Sequence, residues 1–345
     1  MAQTETSQPD YFDLIPNEIL LSILNKIIDS KSLVRCLVLS RRFSSLVPQV
    51  DSLSITVPAA ASPHISRRSR RTALSRLLRK TVTKPVVRLL SRLGFKTSQR
   101  LDSGRNRLWS DAFNVINEIK YLKNFSNVHS LRLVLPPNRL SDSDSEDSHF
   151  LHWRAEFGKE LRRCTIVAAD SITPTTHDEH INIVPCDDPV VPSDDLKRKL
   201  LCIISTLLAA SARHTLMKRM ITASPGLTSA TIADARNEGE VIMEEEGIGE
   251  LREWMSGFDD QNAEETMVLR TCLPDVAMRV WCAEELVLEE SGMVLKGAIV
   301  ATVMAAAEGK EVVEGGEGEG VVWEVVREMR RCRRKKGLRL EMNSF

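Results

Sequence analysis

Residues Tyr11 to Asp51 carry more apolar side chains than so short a piece of chain can bury. The run YFDLIPNEILLSILNKIIDSKSLVRCLVLSRRFSSLVPQVD reads as a loop followed by three short helices. Pro16 suits the first turn of a helix, where its missing N–H costs nothing. Asp13 and Glu18 flank it with the charge that the positive end of a helix dipole favours. Ile19, Leu20, Ile23, Leu24 and Ile27 then recur at helical spacing. Asp29 or Ser30 can cap a second helix through Leu33, Val34, Cys36 and Leu37. Ser40 interrupts, leaving Arg41, Arg42, Phe43 and Leu46 for a third helix that ends near Pro48. A unit of roughly 40 residues closes only a small core. The surplus therefore reads either as three helices of a small packed unit or as a surface built to dock on a partner.

Composition narrows the remainder. A length of 345 residues suggests two domains, or one domain with an appended module. Lys+Arg and Asp+Glu balance at 47 each, so net charge selects no partner. A hydrophobic share of 42% supports a real core, and aromatics at 5% argue against stacking platforms for single-stranded nucleic acid. Cys36, Cys164, Cys186, Cys202, Cys272, Cys282 and Cys332 form no C-x-x-C pair and read as reduced thiols of a cytosolic or nuclear protein. The start, MAQTETSQPD, lacks the basic and apolar regions of a secretory signal. No stretch reads as the roughly 20 apolar residues that span a bilayer. The expectation is a soluble intracellular protein with no membrane span.

Specific residues then go further than composition. Leu14-Ile15-Pro16, the helical positions Leu20, Ile23 and Ile27, Leu33 in the second helix, and Val38-Leu39-Ser40-Arg41-Arg42-Phe43 follow one another in an order that resembles the F-box. Ser40 stands where that pattern usually has Cys, and Phe43 where it has Trp. The resemblance implies a module that tethers a protein to a cullin ubiquitin ligase core through a Skp-type adaptor. It places the adaptor contacts on Leu14, Ile15, Pro16, Leu20, Ile23, Ile27 and Leu33. Each would contribute about 1.5–3 kcal/mol if fully buried.

Between His64 and Leu108, Asp102 is the only acid in a long series of Arg and Lys. Leu74, Leu77 and Leu78, then Val86, Leu89, Leu90 and Leu93, keep a helical rhythm broken by Pro85. Three readings stay open: contact with phosphate or an anionic membrane surface, a nuclear-localisation patch at Arg67-Arg68-Ser69-Arg70-Arg71, or a solvated linker whose apolar side packs back on the protein. Neither aromatic interleaving nor metal-finger spacing accompanies the charge, so nucleic-acid binding is not favoured.

The C-terminal two-thirds mixes helical and extended patterns. Phe125 to Leu135 ends as a strand with Leu131, Leu133 and Leu135 on one face. Like a single leucine-rich unit, it recurs at no fixed period, and kelch and WD-type repeats are also absent. SDSDSEDS at Ser141–Ser148 reads as an acidic loop. A helix is expected from about Trp153 to Arg162, feeding a strand at Cys164–Ala169. Asp194 or Asp195 caps a helix running to about Met220, apolar almost all round and so central and buried. His214, beside Arg213, is expected near its end as a partner for the last carbonyls rather than as a base. Glu240–Glu244, Val276–Trp281, Glu285–Leu288 and Val294–Val303 read as strands, with a turn at Ser291-Gly292. Glu314–Gly320 reads as an acidic loop before Val321-Val322-Trp323 and a basic tail at Arg330–Lys336.

The fold class is therefore α+β: a three-helix F-box followed by a mixed helix/sheet domain without leucine-rich or kelch repeats. The expected divisions are 11–51 for the F-box, 52–108 for the basic linker, 109–310 for the α+β domain and 311–345 for the Gly/Glu-rich loop and tail. WRAEFGKELRRCTIVAAD, LLAASARHTLMKRM and MRVWCAEELVLEESGMVLKGAIVATV extend the resemblance to plant auxin up-regulated F-box proteins and their relatives. That family implies a nuclear or cytoplasmic ligase subunit acting in hormone responses, with a protein substrate that the sequence leaves unnamed. His177-Asp178-Glu179-His180 with Cys186 is the one cluster with metal-ligand types, set in a loop without a second cysteine pair. No phosphate loop and no catalytic constellation is present, so neither cofactor nor metal is expected, and the chain reads as a non-catalytic adaptor. Two alternatives remain: an F-box interaction protein acting outside a ligase, or a binder of nucleic acid or anionic surfaces through residues 64–108.

Overall fold

The computed structural model describes residues 11–58, 122, 124–136, 150–175, 193–257, 275–305, 321–333 and 335–342. The basic segment 64–108, the acidic run 141–148, the cluster 177–186 and the Gly/Glu-rich stretch 314–320 lie outside the described residues. After a 3-10 turn at Tyr11–Leu14 come α1 (Asn17–Lys26), α2 (Ser30–Leu37) and α3 (Arg41–Leu46). The caps explain the boundaries. Asp29 accepts the Ser32 N–H at 2.9 Å at the start of α2, and the Ser40 hydroxyl accepts the Phe43 N–H at 3.3 Å at the start of α3. Caps of this kind each contribute about 1 kcal/mol.

Downstream lie β1 (Ser52–Thr56), β2 (Ser130–Leu135), β3 (Phe150–Phe157), β4 (Leu161–Ala169), β5 (Ser171–Pro174), α4 (Ser193–Ala223), β6 (Ser229–Asp234), β7 (Gly239–Met243), α5 (Glu245–Ser256), β8 (Val276–Leu288), β9 (Met293–Ala305), α6 (Val321–Arg331) and β10 (Lys336–Met342). All ten strands join one mixed sheet of order β1-β2-β6-β7-β3-β4-β9-β8-β10, with β5 paired to β9 off that path. The pairs β1/β2, β2/β6 and β3/β7 are parallel and the others antiparallel. Among the described residues the protein is thus a mixed helix-and-sheet fold with six α-helices and one large mixed sheet.

The strand alternation assigns the two faces. Leu53, Ile55, Leu131, Leu133, Trp153, Ala155, Ile166, Val280 and Ala301 point inward against α4 and the N-terminal helices, forming one continuous core. Val167, Leu286, Leu288, Leu295 and Val300 form a second cluster under α6 on the opposite face. Gly297, at φ +63°, stands where this alternation slips: Leu295 and Ala298, three residues apart, both reach the α6 cluster. An L side chain is strained there, and a Cβ would meet Asp170 Oδ2 at 2.1 Å.

Several expectations change. Trp153–Arg162 is not a helix: β3 and β4 form a hairpin in which Trp153, Ala155 and Phe157 are buried while Arg154 and Glu156 point away. The period there is two, and tertiary pairing decides against the helix-friendly residue types. Val276–Trp281 and Glu285–Leu288 are one strand, and residues 52–56, read as the start of the linker, form an edge strand. The supposed basic tail is the last turn of α6 followed by β10. The turn at Ser291-Gly292 is present, with Gly292 at φ +61°. Finally, Arg198–Ala223 of α4 is long and apolar enough, by length and composition alone, to cross a bilayer. Leu207, Ala210, Met217, Met220 and Ile221 within it are buried in the protein core, as in the central helix of a soluble domain.

Candidate functional site

The N-terminal helices carry two apolar stripes rather than one. On α1, Leu20 and Leu24 are spaced four apart and turn into the core, while Ile19 and Ile23, also four apart, face solvent. Phe12, Leu14, Ile28, Val38 and Leu39 join the exposed set, with Leu14 at 75%, Val38 at 83% and Leu39 at 67% exposure. Seven of the nine large apolar residues exposed among the described residues thus fall between positions 12 and 39. Exposed apolar side chains gathered in this way have the character that interaction surfaces share, whereas scattered ones need no explanation.

The seven sequence-assigned contact residues divide accordingly. Leu14, Pro16 and Ile23 are exposed, and Ile15 and Ile27 are half-buried with their inner sides on the core. Leu20 and Leu33, at 1% and 0% exposure, sit inside the fold and hold the helices together. Sequence periodicity missed Phe12, Ile19, Ile28, Val38 and Leu39 as surface residues. The signal was present: apolar residues on both sides of a ten-residue helix cannot all face one core.

One side chain organises this surface. Arg42 on α3 donates through Nη1 to the Phe12 carbonyl at 2.7 Å, through Nη2 to the Ile15 carbonyl, and through Nε to Asn17 Oδ1 at 2.8 Å. Phe43 meets Phe12 edge-on at 5.9 Å. The planar guanidinium fork therefore clamps the Leu14-Ile15-Pro16 turn onto α3, a task for which a single ammonium is poorly shaped. At Asp29, burial pushes the carboxyl pKa up, but the Ser32 hydroxyl and N–H, with Lys31 nearby, outweigh it and leave it below the usual value.

The helices are also stitched to the sheet. Ser54 N–H donates to the Ile28 carbonyl at 2.6 Å, and Asn25 and Asp51 exchange two hydrogen bonds of 3.0 Å. Asn127 Nδ2 donates to Asp51 Oδ1 at 3.1 Å, and Ser126 N–H to the Pro48 carbonyl at 2.9 Å.

A second cluster lies under α4. Arg213 donates to Asp234 at 3.1 Å and to the Gly239 carbonyl at 2.7 Å, beneath the Trp153 ring at 4.5 Å. Gly239 has no room for a Cβ, which would lie 2.1 Å from that ring. His214 is not at a helix end. It is fully buried in mid-helix, stacked on Phe157 at 4.3 Å, with Nε2 3.0 Å from the Gly158 carbonyl. Burial, reinforced by the Lys218 charge, holds its pKa well below the usual value despite that carbonyl. It is therefore neutral, and Nε2 must carry the proton because a carbonyl only accepts. These groups are buried in the core, so their role is architectural. Among the described residues no three His, Cys, Asp or Glu side chains converge to hold a metal ion. Burial raises the Cys164 thiol to about 12 and raises Cys202 and Cys282 as well, which makes them poor nucleophiles.

Comparison with known proteins points the same way as the N-terminal surface. The sequence is similar to F-box protein At1g30200 of Arabidopsis thaliana, 32% identical over 88% of this chain and 86% of that protein. It is similar to F-box protein AUF2 of the same plant, 33% identical over 97% of this chain and the whole of that protein. F-box protein AUF1 is 30% identical over the same shares. No family model matches the chain. No solved structure matches it.

Proposed function

The chain belongs to the plant F-box protein family, and on that premise we propose that it is the substrate-recognition subunit of a Skp–cullin–F-box ubiquitin ligase. The N-terminal helices bind a Skp-type adaptor, and the remainder of the fold captures a protein substrate. The observation that carries this reading is the concentration of exposed apolar residues on α1, the α2–α3 junction and the turn before α1. Leu14, Pro16, Ile19, Ile23, Val38 and Leu39 form the contact surface, with Ile15 and Ile27 at its margin. Leu20 and Leu33 support it from within.

The protein contributes no nucleophile in this scheme. Holding a substrate beside a charged ubiquitin-conjugating enzyme raises the effective concentration of the reacting lysine, and proximity supplies the rate. Action in the nucleus or cytoplasm, in hormone responses that include auxin, is part of the same proposal and rests on the family resemblance. A pull-down of the recombinant protein with a Skp-type adaptor tests it. Wild-type protein is expected to retain the adaptor, and an Ile15→Ala/Pro16→Ala variant to lose it. Equal retention by that variant would refute the assigned interface.

A further inference from the structure

One exposed residue holds the corner where the N-terminal helices meet the sheet. Asp51 lies between α3 and β1, and two distant stretches of chain converge on it. From α1, Asn25 Nδ2 donates to Asp51 Oδ2 at 3.0 Å, while the Asp51 N–H donates back to Asn25 Oδ1 at 3.0 Å. From the stretch leading into β2, Asn127 Nδ2 donates to Asp51 Oδ1 at 3.1 Å. The Asp51 carbonyl accepts the His129 and Ser130 N–H groups at 2.8 and 3.0 Å. His129 Nδ1 also stands 3.7 Å from Asp51 Oδ1.

Stability does not account for this convergence. The Asp51 side chain is 55% exposed and that of His129 50%. Water competes for groups so placed, and each bond adds little to the folding free energy. What holds the helices to the sheet is the shared burial of Val47, Val50 and Leu53 with Leu24 and Leu33. Burial has no preferred direction, so it resists separation more than the rolling of one layer on the other. Hydrogen bonds do have direction. Oδ2 bonds to α1 and Oδ1 to the lead-in of β2, so one planar carboxylate fixes the angle between them. The Asn25 pair is made at the last turn of α1. A small rotation there is magnified at Ile19 and, before the helix, at Leu14.

We infer that Asp51 is a positioning residue, which sets the angle between the adaptor-binding helices and the sheet. That role deepens the reading of the chain as a ligase subunit and rests on it for its consequence: with an adaptor on the helices, the angle sets where the sheet stands relative to the ligase core. Asp51 acts through Asn25 and Asn127 and touches neither partner itself.

The test compares full-length wild type, Asp51→Ala and an exchanged pair, Asn25→Asp/Asp51→Asn. In the exchanged pair the amide at position 51 donates to the carboxylate at position 25 and still accepts from Asn127, so the side-chain bonds survive. Hydrogen–deuterium exchange of residues 126–130 should speed up at least about tenfold in Asp51→Ala and return to the wild-type rate in the exchanged pair. Single-molecule energy transfer between a dye on the bound Skp-type adaptor and one attached enzymatically after Phe345 reports the angle. Its distribution should be displaced or widened in Asp51→Ala and restored in the exchanged pair. Adaptor retention should not change, and the melting temperature should stay within about 4 °C of wild type. Unchanged exchange rates or an unchanged distribution in Asp51→Ala would overturn the inference, as would failure of the exchanged pair to restore them. A larger drop in melting temperature would make Asp51 a stabilising residue and overturn it too. Loss of adaptor retention by all three proteins, with exchange rates still in the expected order, would refute the ligase reading and leave the positioning role standing.

Discussion

Replacing Asp234 by Asn should unfold this protein far more readily than its isosteric shape suggests. Oδ1 accepts the Glu238 N–H at 2.9 Å, and Oδ2 accepts the Gly239 N–H at 2.9 Å and Arg213 Nη2 at 3.1 Å. An asparagine amide has one oxygen and one NH2, so in either orientation a donor is turned toward a donor. The Arg213 guanidinium, almost wholly buried, loses the carboxylate it is bonded to. Breaking a buried pair from one side costs about 3–5 kcal/mol, against a total stability of about 5–15 kcal/mol for an ordinary domain. Urea unfolding followed by tryptophan fluorescence measures this directly, because Trp153 lies on the guanidinium. A loss below about 1 kcal/mol would refute the reasoning, since that is the range of an exposed pair. An Arg213→Met/Asp234→Asn variant, which removes both charges, should lose less than the two single losses added together.

Four further outcomes are expected. His214 is neutral in the fold and protonates freely when unfolded, so stability is fully present above the ordinary histidine value. It falls by about 1.4 kcal/mol per pH unit below roughly 6.5; His214→Phe should flatten that slope in urea titrations at successive pH values. Arg42→Ala should cost about 1.5–3 kcal/mol in unfolding experiments and weaken adaptor retention, with Arg42→Lys restoring only part of it. Val38→Asp/Leu39→Asp alters exposed positions, so stability should stay within about 0.5 kcal/mol per site while adaptor affinity falls at least about tenfold. Leu33→Ala should instead cost about 2–5 kcal/mol of stability, and any loss of binding should track unfolding measured by circular dichroism.

The legible parts of the fold were those where local chemistry sets the boundary. Asp29 and Ser40 mark α2 and α3 because a cap depends on residues within three positions of it. The central helix and the Ser291-Gly292 turn were readable for similar reasons. Failures came where distant strands decide. Trp153–Arg162 has residue types that suit a helix, yet β4 and β7 on either side impose a period of two. The edge strands at Ser52–Thr56 and Lys336–Met342 are short and polar, and only their partners make them strands. In the candidate site the order of motif residues was visible, but which of them face outward was not. Leu20 and Ile19 are neighbours of like chemistry with opposite fates, and that choice belongs to what packs beneath α1, namely α3 and the turn at Val47–Gln49.

The seam between the helices and the sheet determines how independent the N-terminal helices are of the rest of the fold. Val47, Val50, Leu53 and Phe125 lie in the same core as Leu24 and Leu33, and backbone bonds join Ile28 to Ser54 and Pro48 to Ser126. The anchor is thus no detachable plug on a leash. Cut out and grafted elsewhere, it would leave part of its own interior behind. Under the proposed ligase role, it would fix the bearing of the rest of the fold toward the ligase core, so that the lysines of a captured protein within range would follow from the shape of the joint rather than from a swinging arm.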